Sequence, residues 1–457
     1  MNPSASSTPH ASPDASAPDA GPASAAAHAA QVELPPQAQA PERGGRFARL
    51  PILAGRGFIP LGLAARLPLA MLTVGALTLV TAVTGSYAVG GAAAGAVGIG
   101  SAAGAPVFGA LADRLGQRRV LIVAALLNAA AVTALILAAY LVPDARDVAA
   151  AVPVLAAALI AGASCPQVGP LARVRWMALT SGRDGRPGDL DTALSYESTA
   201  DEITFVLGPA LVGIIASLLS PWLPLAIAAV LTLALVPAFA VHPTHLAVPR
   251  TRRTQEPGIP TAAAQASTAA RLRAAVTIAV PVLAMVCMGT FFGATQTSLS
   301  SFSAGFAGSE LAGLLYAVMG LSSAAAALSV AYWPRRIGLR TRWLACAGLM
   351  TALAPLLLLP DSLPPMIVVL LVLGLPVGPL MVTVFGIGGL VAPAGRLGTV
   401  MTALASGIVA GTAIGSSVAG QLAQTAGYST AFIVPVCAAG ALFLLGTAAA
   451  VVLRRQP

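Results

Sequence analysis

The chain has 457 residues, of which 57% are hydrophobic and 9% charged, with 25 basic and 16 acidic side chains. So few charges cannot cover a soluble globular surface, whereas about 260 apolar residues would fill about thirteen membrane-spanning helices at about 20 residues each. The apolar residues run in blocks of twenty or more, not in ten-residue alternation, which argues against a transmembrane β-barrel.

All 25 basic residues are Arg, for a net charge of +9. They lie between apolar blocks, so they read as a topology signal and not as a nucleic-acid footprint. The Lys-free, Ala-rich usage reads as the codon bias of a GC-rich bacterium.

Residues 1–57 are expected to form a disordered cytoplasmic tail. Up to residue 45 they are Ala, Pro and Ser with scattered Asp, too polar to bury a core, and they lack the basic start and apolar core of a signal peptide. Twelve apolar blocks follow, near 60–84, 87–112, 119–142, 151–174, 192–219, 222–241, 274–298, 310–332, 342–359, 364–390, 399–422 and 429–453. They divide into a first six-helix bundle over 58–241, a cytoplasmic loop over 242–272, a second bundle over 273–453 and a short tail over 454–457. With the N-terminus inside, 23 of the 25 arginines fall on the inner side. Only Arg146 lies in an outer loop, and Arg66 lies within the first block. That asymmetry places both termini in the cytoplasm. Cys165, Cys287, Cys346 and Cys437 sit singly in separate blocks and read as small buried hydrophobes, not as metal ligands or disulfides. The histidines lie outside the apolar cores.

The halves echo each other. Ala70-Met71-x-x-x-Gly75 recurs as Ala284-Met285-x-x-x-Gly289. Val168-Gly169-Pro170-Leu171 recurs as Val377-Gly378-Pro379-Leu380, and Leu207-Gly208-x-x-x-x-Gly213 as Ile414-Gly415-x-x-x-x-Gly420. Three matches in order at nearly one offset point to duplicated six-helix halves, an architecture of alternating-access carriers.

Between blocks 2 and 3 stands Gly109-Ala-Leu-Ala-Asp113-Arg114-Leu-Gly116-Gln117-Arg118-Arg119. Gly116 permits a tight turn, and Asp113 sits where it can meet an Arg or a facing helix N-terminus. The stretch resembles the cytoplasmic loop motif G-x-x-x-D-R-x-G-R-R of the major facilitator superfamily, with Gly109, Asp113, Arg114, Gly116 and Arg118 matching and Gln117 in a usually basic position. The resemblance implies twelve helices in two pseudo-symmetric six-helix bundles. It also implies a gate in which Asp113 meets the start of helix 11 near Thr399. Arg335-Arg336-Ile337-Gly338-Leu339-Arg340 is a degenerate copy without the Asp. Gly208, Pro209 and Gly213 loosely resemble the family's antiporter motif in helix 5, where small residues would let helices 5 and 8 approach.

Helix 5 opens with Ser195-Tyr-Glu197-Ser-Thr-Ala-Asp201-Glu202. Glu197 and Asp201 are i and i+4 and share a face; Glu202 is turned about 100° away. Bare charges at this depth cost several kcal/mol. Glu197, Asp201 and Glu202 must therefore line an aqueous cavity, be neutral, or pair with Arg, for which Arg173 and Arg175 are the nearest candidates. They are the proton-coupling candidates, Asp201 first among them, against the alternative of a structural Arg–carboxylate network. By the resemblance, helices 1, 4, 7 and 10 surround the cavity, so Gln167, Phe291, Phe292, Thr295 and Gln296 are candidate substrate contacts. Two glutamines and nearby acids would suit an amphipathic, even cationic, cargo.

No catalytic, P-loop, zinc or haem motif is present, so neither an enzyme nor an ATP-driven pump is expected, and no cofactor or metal. The expectation is a proton-antiporting exporter of small organic molecules, drug- or sugar-efflux-like, acting as a monomer in the bacterial inner membrane, without nucleic-acid partners. The alternatives are proton-coupled uptake by the same fold and, further off, a non-transporting receptor or scaffold.

Overall fold

The apolar blocks become helices because lipid offers no partner for backbone polar groups, so each span must satisfy its own. The structure, a computed structural model, describes residues 45–142, 149–182, 184–249, 268–304, 311–334 and 336–453, with the side chains of 268–274 and 451–453 left aside. Twelve described helices are long and apolar enough to cross a membrane. They are α1 (Phe58–Thr84), α2 (Tyr87–Leu115), α3 (Gln117–Leu141), α4 (Val152–Thr180), α5 (Asp189–Leu218), α6 (Leu223–Val241), α7 (Ala275–Ala304), α8 (Leu311–Tyr332), α9 (Leu339–Leu358), α10 (Leu363–Val391), α11 (Leu397–Ala431) and α12 (Ile433–Ala450). No strand occurs among the described residues. Residues 1–44, Asp144, Arg146, Asp147, Arg183, most of the 242–272 loop, Glu310, Arg335 and the last four residues lie outside the described set.

Local chemistry sets the ends. Ser86 caps α2 by accepting from the Val89 N–H at 3.3 Å. Gly116, at φ 89°, turns the chain between α2 and α3. Two spans are interrupted. In α1 the helix Phe58–Ala64 gives way to Leu67–Thr84, with Arg66 as N-cap and Pro68 in the first turn. In α4 the helices Val152–Ala163 and Val168–Thr180 are separated by Ser164-Cys165-Pro166-Gln167. Pro166 has no N–H to continue the ladder, and Gln167 closes the gap by donating to the Cys165 carbonyl at 3.0 Å. α10, its counterpart in the second half, runs unbroken through Pro376 and Pro379.

Packing repeats with a shift of six helices. α2 packs on α4 as α8 does on α10, α1 on α5 as α7 on α11, and α3 on α6 as α9 on α12. The halves meet through α2 against α11 and α5 against α8, a pairing that the same shift maps onto itself. The repeated Leu-Gly/Ile-Gly motif explains part of this. A Cβ on Gly208 would lie 2.8 Å from Ala70 backbone on α1, and one on Gly415 would lie 2.2 Å from the Thr290 carbonyl on α7. Small residues let these backbones touch, which is how helices gain contact energy in lipid.

Two expectations are corrected here. Gly208 seats α5 on α1, not on α8, and among the described residues Gly213 has no neighbour within 4 Å of an added Cβ. Residues 46–54, assigned to the disordered tail, form Arg46–Arg49 and Leu50–Ala54, with Leu50 and Ala54 buried. Of the cysteines, Cys437 is exposed and Cys287 partly so, while Cys165 and Cys346 are buried.

Candidate functional site

The two helix interruptions place charge inside the bundle. Arg66, at the joint of α1, points across to α5, and Arg173 on the second segment of α4 points the same way. Arg66 forms ion pairs with Glu197 and, at 3.0 Å, with Asp201. Arg173 Nη2 lies 2.7 Å from the other Asp201 oxygen. Two cations and two anions thus balance where an unpaired charge would cost several kcal/mol. The i, i+4 spacing of Glu197 and Asp201 lets one guanidinium span both. Gly169 lies at the centre: a Cβ there would sit 3.3 Å from Asp201 Oδ1 and 3.7 Å from both Arg173 Nη1 and Arg66 Nε.

The members differ in surroundings. Glu197 is 1% exposed and both its oxygens are taken, one by Arg66 and one by the Trp176 indole N–H at 2.7 Å. Asp201 is 17% exposed and lines an internal cavity together with Arg66, Arg173, Gln167, Phe385 and Ser406. Glu202 faces elsewhere, as its 100° turn dictates. It accepts from Ser323 on α8 at 2.9 Å, beside the Thr199 hydroxyl, which donates to the Ala324 carbonyl at 3.2 Å. Glu202 therefore belongs to the contact between halves.

Arg175, expected as a partner for these acids, is not brought to a carboxylate among the described residues. It donates to Gln117 at 2.8 Å, the Phe239 carbonyl at 2.8 Å and Thr244 at 3.0 Å, and its guanidinium lies 4.0 Å from the Phe239 ring centre. Gln117 turns inward to do this, which accounts for a neutral residue in a usually basic loop position. His242, just beyond α6, is pushed below the ordinary histidine range by burial first, then by Arg175 and His245.

Of the candidate substrate contacts, Gln167 lines the cavity. Phe291, Phe292, Thr295 and Gln296 do not. α7 lies along α11, Phe291 and Thr295 are buried in packing and Gln296 is exposed. Arg66 and Phe385 were not anticipated. Arg173 stacks on Phe385, 3.9 Å from its ring centre, and this is how α10 of the second half reaches the charge cluster. A lone Arg within an apolar block was the available signal for Arg66; nothing marked Phe385 among twelve phenylalanines.

The end of the bundle that carries the α2–α3 turn is clasped shut. Asp113 accepts from the Gly398 and Thr399 N–H groups at 2.8 Å each and from the Thr399 hydroxyl at 2.7 Å. These are orphan donors of the α11 N-terminus, where a carboxylate also meets the positive end of the helix dipole. Gly109 permits the approach: a Cβ there would lie 2.7 Å from the Gly398 carbonyl. Arg114 and Arg118 are exposed beside the turn. Arg342 at the start of α9 pairs with Asp191 at 3.2 Å. Arg49 pairs with Asp189 at 3.2 Å, and Arg46 donates to the Ala331 carbonyl, so residues 46–49 strap α5 to the end of α8.

A charge cluster facing a cavity between two repeated halves, clasped at one end, is the geometry of a carrier, and comparison with known families agrees. A profile described as Major Facilitator Superfamily matches residues 59–404. The chain belongs to the major facilitator superfamily. It is a multi-pass membrane protein with a transporter fold. Among solved structures, the human organic anion transporter MFSD10 aligns with a TM-score of 0.64 at 20% identity, covering 88% of this chain and all of that one. The transporter FucP in its outward conformation aligns at 0.59 and 15% identity, covering 86% and 98%. A bacterial homologue of the iron transporter ferroportin, outward-facing, aligns at 0.58 and 14% identity, covering 86% and 98%. These likenesses concern the fold. No curated protein sequence matches the chain.

Proposed function

We propose that this superfamily member is a proton-coupled secondary active transporter of small organic molecules, with Asp201 as its proton site. The observation that carries the reading is Asp201 itself: it is the acid of α5 that lines the cavity, held by arginines from α1 and α4. A proton there removes one negative charge from a balanced group and loosens its hold on Arg66 and Arg173. The Asp113 clasp keeps one end closed until the halves rock. The arginine bias supports a cytoplasmic location for that end and for both termini, and the Lys-free composition supports a bacterial inner membrane. Each chain encloses a whole cavity, so a monomer suffices. A fucose:proton symporter is among the structures that share the fold, which supports proton coupling. The electrical part of the gradient supplies about 2.3 kcal/mol per charge per 100 mV.

Two senses of coupling use one proton site. Export by antiport needs cargo and proton to exclude each other, and the Gly208-Pro209 pair of α5 favours it. Uptake by symport needs them to bind together. The charge balance around Asp201 favours symport, and we give it greater weight because it acts at the proton site.

The test is proton movement in reconstituted vesicles loaded with a pH-sensitive dye and challenged with a small-molecule extract of bacterial cells. Movement above that of empty vesicles is expected for the native protein and for Glu202→Gln, and not for Asp201→Asn. No movement with the native protein, or full movement with Asp201→Asn, overturns the reading.

A further inference from the structure

We infer that the cargo is a monovalent organic anion, a carboxylate or sulfonate on an apolar frame, which enters the cavity together with one proton and takes over the arginines that Asp201 holds. The inference rests on the proton-coupled reading and names its substrate class.

The charged groups around Asp201 can be taken helix by helix. α1 contributes Arg66 and α4 contributes Arg173; α5 itself carries Glu197, with Tyr196 and Glu202 flanking. The cavity-lining residues of α2, α10 and α11 are uncharged: Ser101 and Ala105, Phe385, and Ala405, Ser406, Ile408 and Val409. Arg66 and Arg173 against Glu197 and Asp201 sum to zero. A cationic cargo would have to displace two guanidinium groups from Asp201, leaving Arg66 to Glu197 alone and Arg173 buried with no carboxylate among the described residues. An anionic cargo added to the ionised cluster leaves a net negative charge in a low-dielectric site. An anion accompanied by a proton on Asp201 restores zero. With Glu202 set apart at the Ser323 contact between the halves, charge balance within this group of four favours one anion with one proton.

Donors for the anion are already present. Arg66 and Arg173 are 4% and 1% exposed, and the Nε of each is buried with no hydrogen-bond partner among the described residues. Both side chains line the cavity, converging on Gly169. Once Asp201 is neutral, Arg173 Nη2 and Arg66 Nη1 lose a charged acceptor, and a planar carboxylate or sulfonate offers them two oxygens. The break in α4 adds to this: the helix Val168–Thr180 starts at the cavity, with Gln167, Gly169 and Pro170 in its wall, and a helix N-terminus favours an anion. Most of the remaining wall is apolar, including Leu69, Phe205 and Phe385, with the hydroxyls of Ser101, Thr204 and Ser406 set among it, which suits an aromatic or aliphatic frame.

The experiment is a thermal-shift titration of the purified full chain with matched triplets that share a frame and differ in charge: benzoate, benzamide and benzylamine; hexanoate, hexanamide and hexylamine; indole-acetate, indole-acetamide and tryptamine; with benzenesulfonate as a second acid. Binders of the folded state raise its apparent stability. Stabilisation by acids and not by their amides or amines is expected. Their affinity should weaken as pH rises, by up to about tenfold per unit, as one-proton linkage requires. Asp201→Asn should bind the same acids with no such slope, and Arg173→Gln should lose at least about tenfold where Arg173→Lys keeps part. Stabilisation by amines or amides alone, by no acid of the panel, or an unchanged pH slope in Asp201→Asn overturns the inference. Proton movement that persists in native vesicles and fails in Asp201→Asn while only amines bind would sink the anion and leave the proton-coupled carrier standing.

Discussion

Arg173 and Arg175 stand two residues apart on α4, about 200° around the helix at 3.6 residues per turn, and both are essentially fully buried. They solve the same problem in opposite ways. Arg173 is neutralised by Asp201 at 2.7 Å and faces the cavity. Among the described residues Arg175 is held by neutral acceptors, the Gln117 amide, the Phe239 carbonyl and the Thr244 hydroxyl, and by the Phe239 ring. An ionisable partner makes a buried cation responsive to protons; a set of neutral dipoles makes it inert to them. The chain places the responsive solution at the cavity and the inert one where α3, α4 and α6 meet.

That contrast breaks most visibly if the two sites are neutralised in turn. Arg173→Gln should cut gradient-driven transport by at least about 30-fold, the equivalent of about 2 kcal/mol, because Asp201 loses its closer partner. Arg175→Gln should leave transport per folded molecule within about twofold, its loss showing instead as a lower melting temperature, since neutral acceptors lose hydrogen bonds of about 1–3 kcal/mol in total. Flux normalised to folded protein separates the two. Glu197→Gln comes next. It leaves Arg66 with Asp201 alone, and breaking one member of a buried pair is destabilising by about 3–5 kcal/mol, reduced here because Asp201 remains; a melting curve in detergent reads it. Gln117→Arg would give Arg175 a cation for an acceptor. We expect a loss of about 1–3 kcal/mol. A Gln117→Arg chain as stable as the native one would mean that the inert site is not built as described.

Much of this was legible beforehand. Twelve spans and the doubled halves follow from apolar blocks and repeated motifs, because lipid leaves a hydrophobic chain few options. The shared face of Glu197 and Asp201 follows from helical periodicity alone. The exact partners do not. Periodicity fixes directions on one helix and says nothing of which helix stands opposite, so Arg66 on α1 and Phe385 on α10 came only with the tertiary structure, and Arg175 was paired with acids it does not meet. The aromatic and polar residues of α7 do not line the cavity for a similar reason: their composition fits a binding wall, but α7 turns Phe291 and Thr295 into its packing and leaves Gln296 exposed. Gly208 was right as a close-contact glycine and wrong in its partner, since a small residue announces an approach without naming what approaches.

The contrast between responsive and inert charge extends to the clasp. Asp113 meets backbone N–H groups of α11 and the Thr399 hydroxyl, so its contact includes a helix cap between halves. Asp113→Ala should remove about 1 kcal/mol from the clasped state, a shift of about fivefold in the clasped-to-open ratio at equilibrium. Distances between spin labels near the ends of α2 and α11 would register it as growth of a longer-distance population. Asp113→Asn, which keeps an acceptor and drops the charge, should shift the ratio less.

The smallest expected effect tests the inert site from its edge. His242 hydrogen-bonds with Thr244, the same hydroxyl that Arg175 donates to, and burial, Arg175 and His245 push its folded-state titration below the ordinary value of 6.5. The sign follows directly. The unfolded chain takes up a proton on this residue before the folded protein does, so stability contributed by neutral His242 is present above about pH 6.5 and is lost as pH falls through the window beneath it. His242 is only partly buried, so solvent screens the effect and the loss is small. His242→Gln should flatten the fall in melting temperature between about pH 7.5 and pH 5.5, and a fall of unchanged steepness would assign it to other groups. If instead the variant falls more steeply, the imidazole is charged in the fold, and the Arg175 site holds a second cation where neutral dipoles alone would have to offset both.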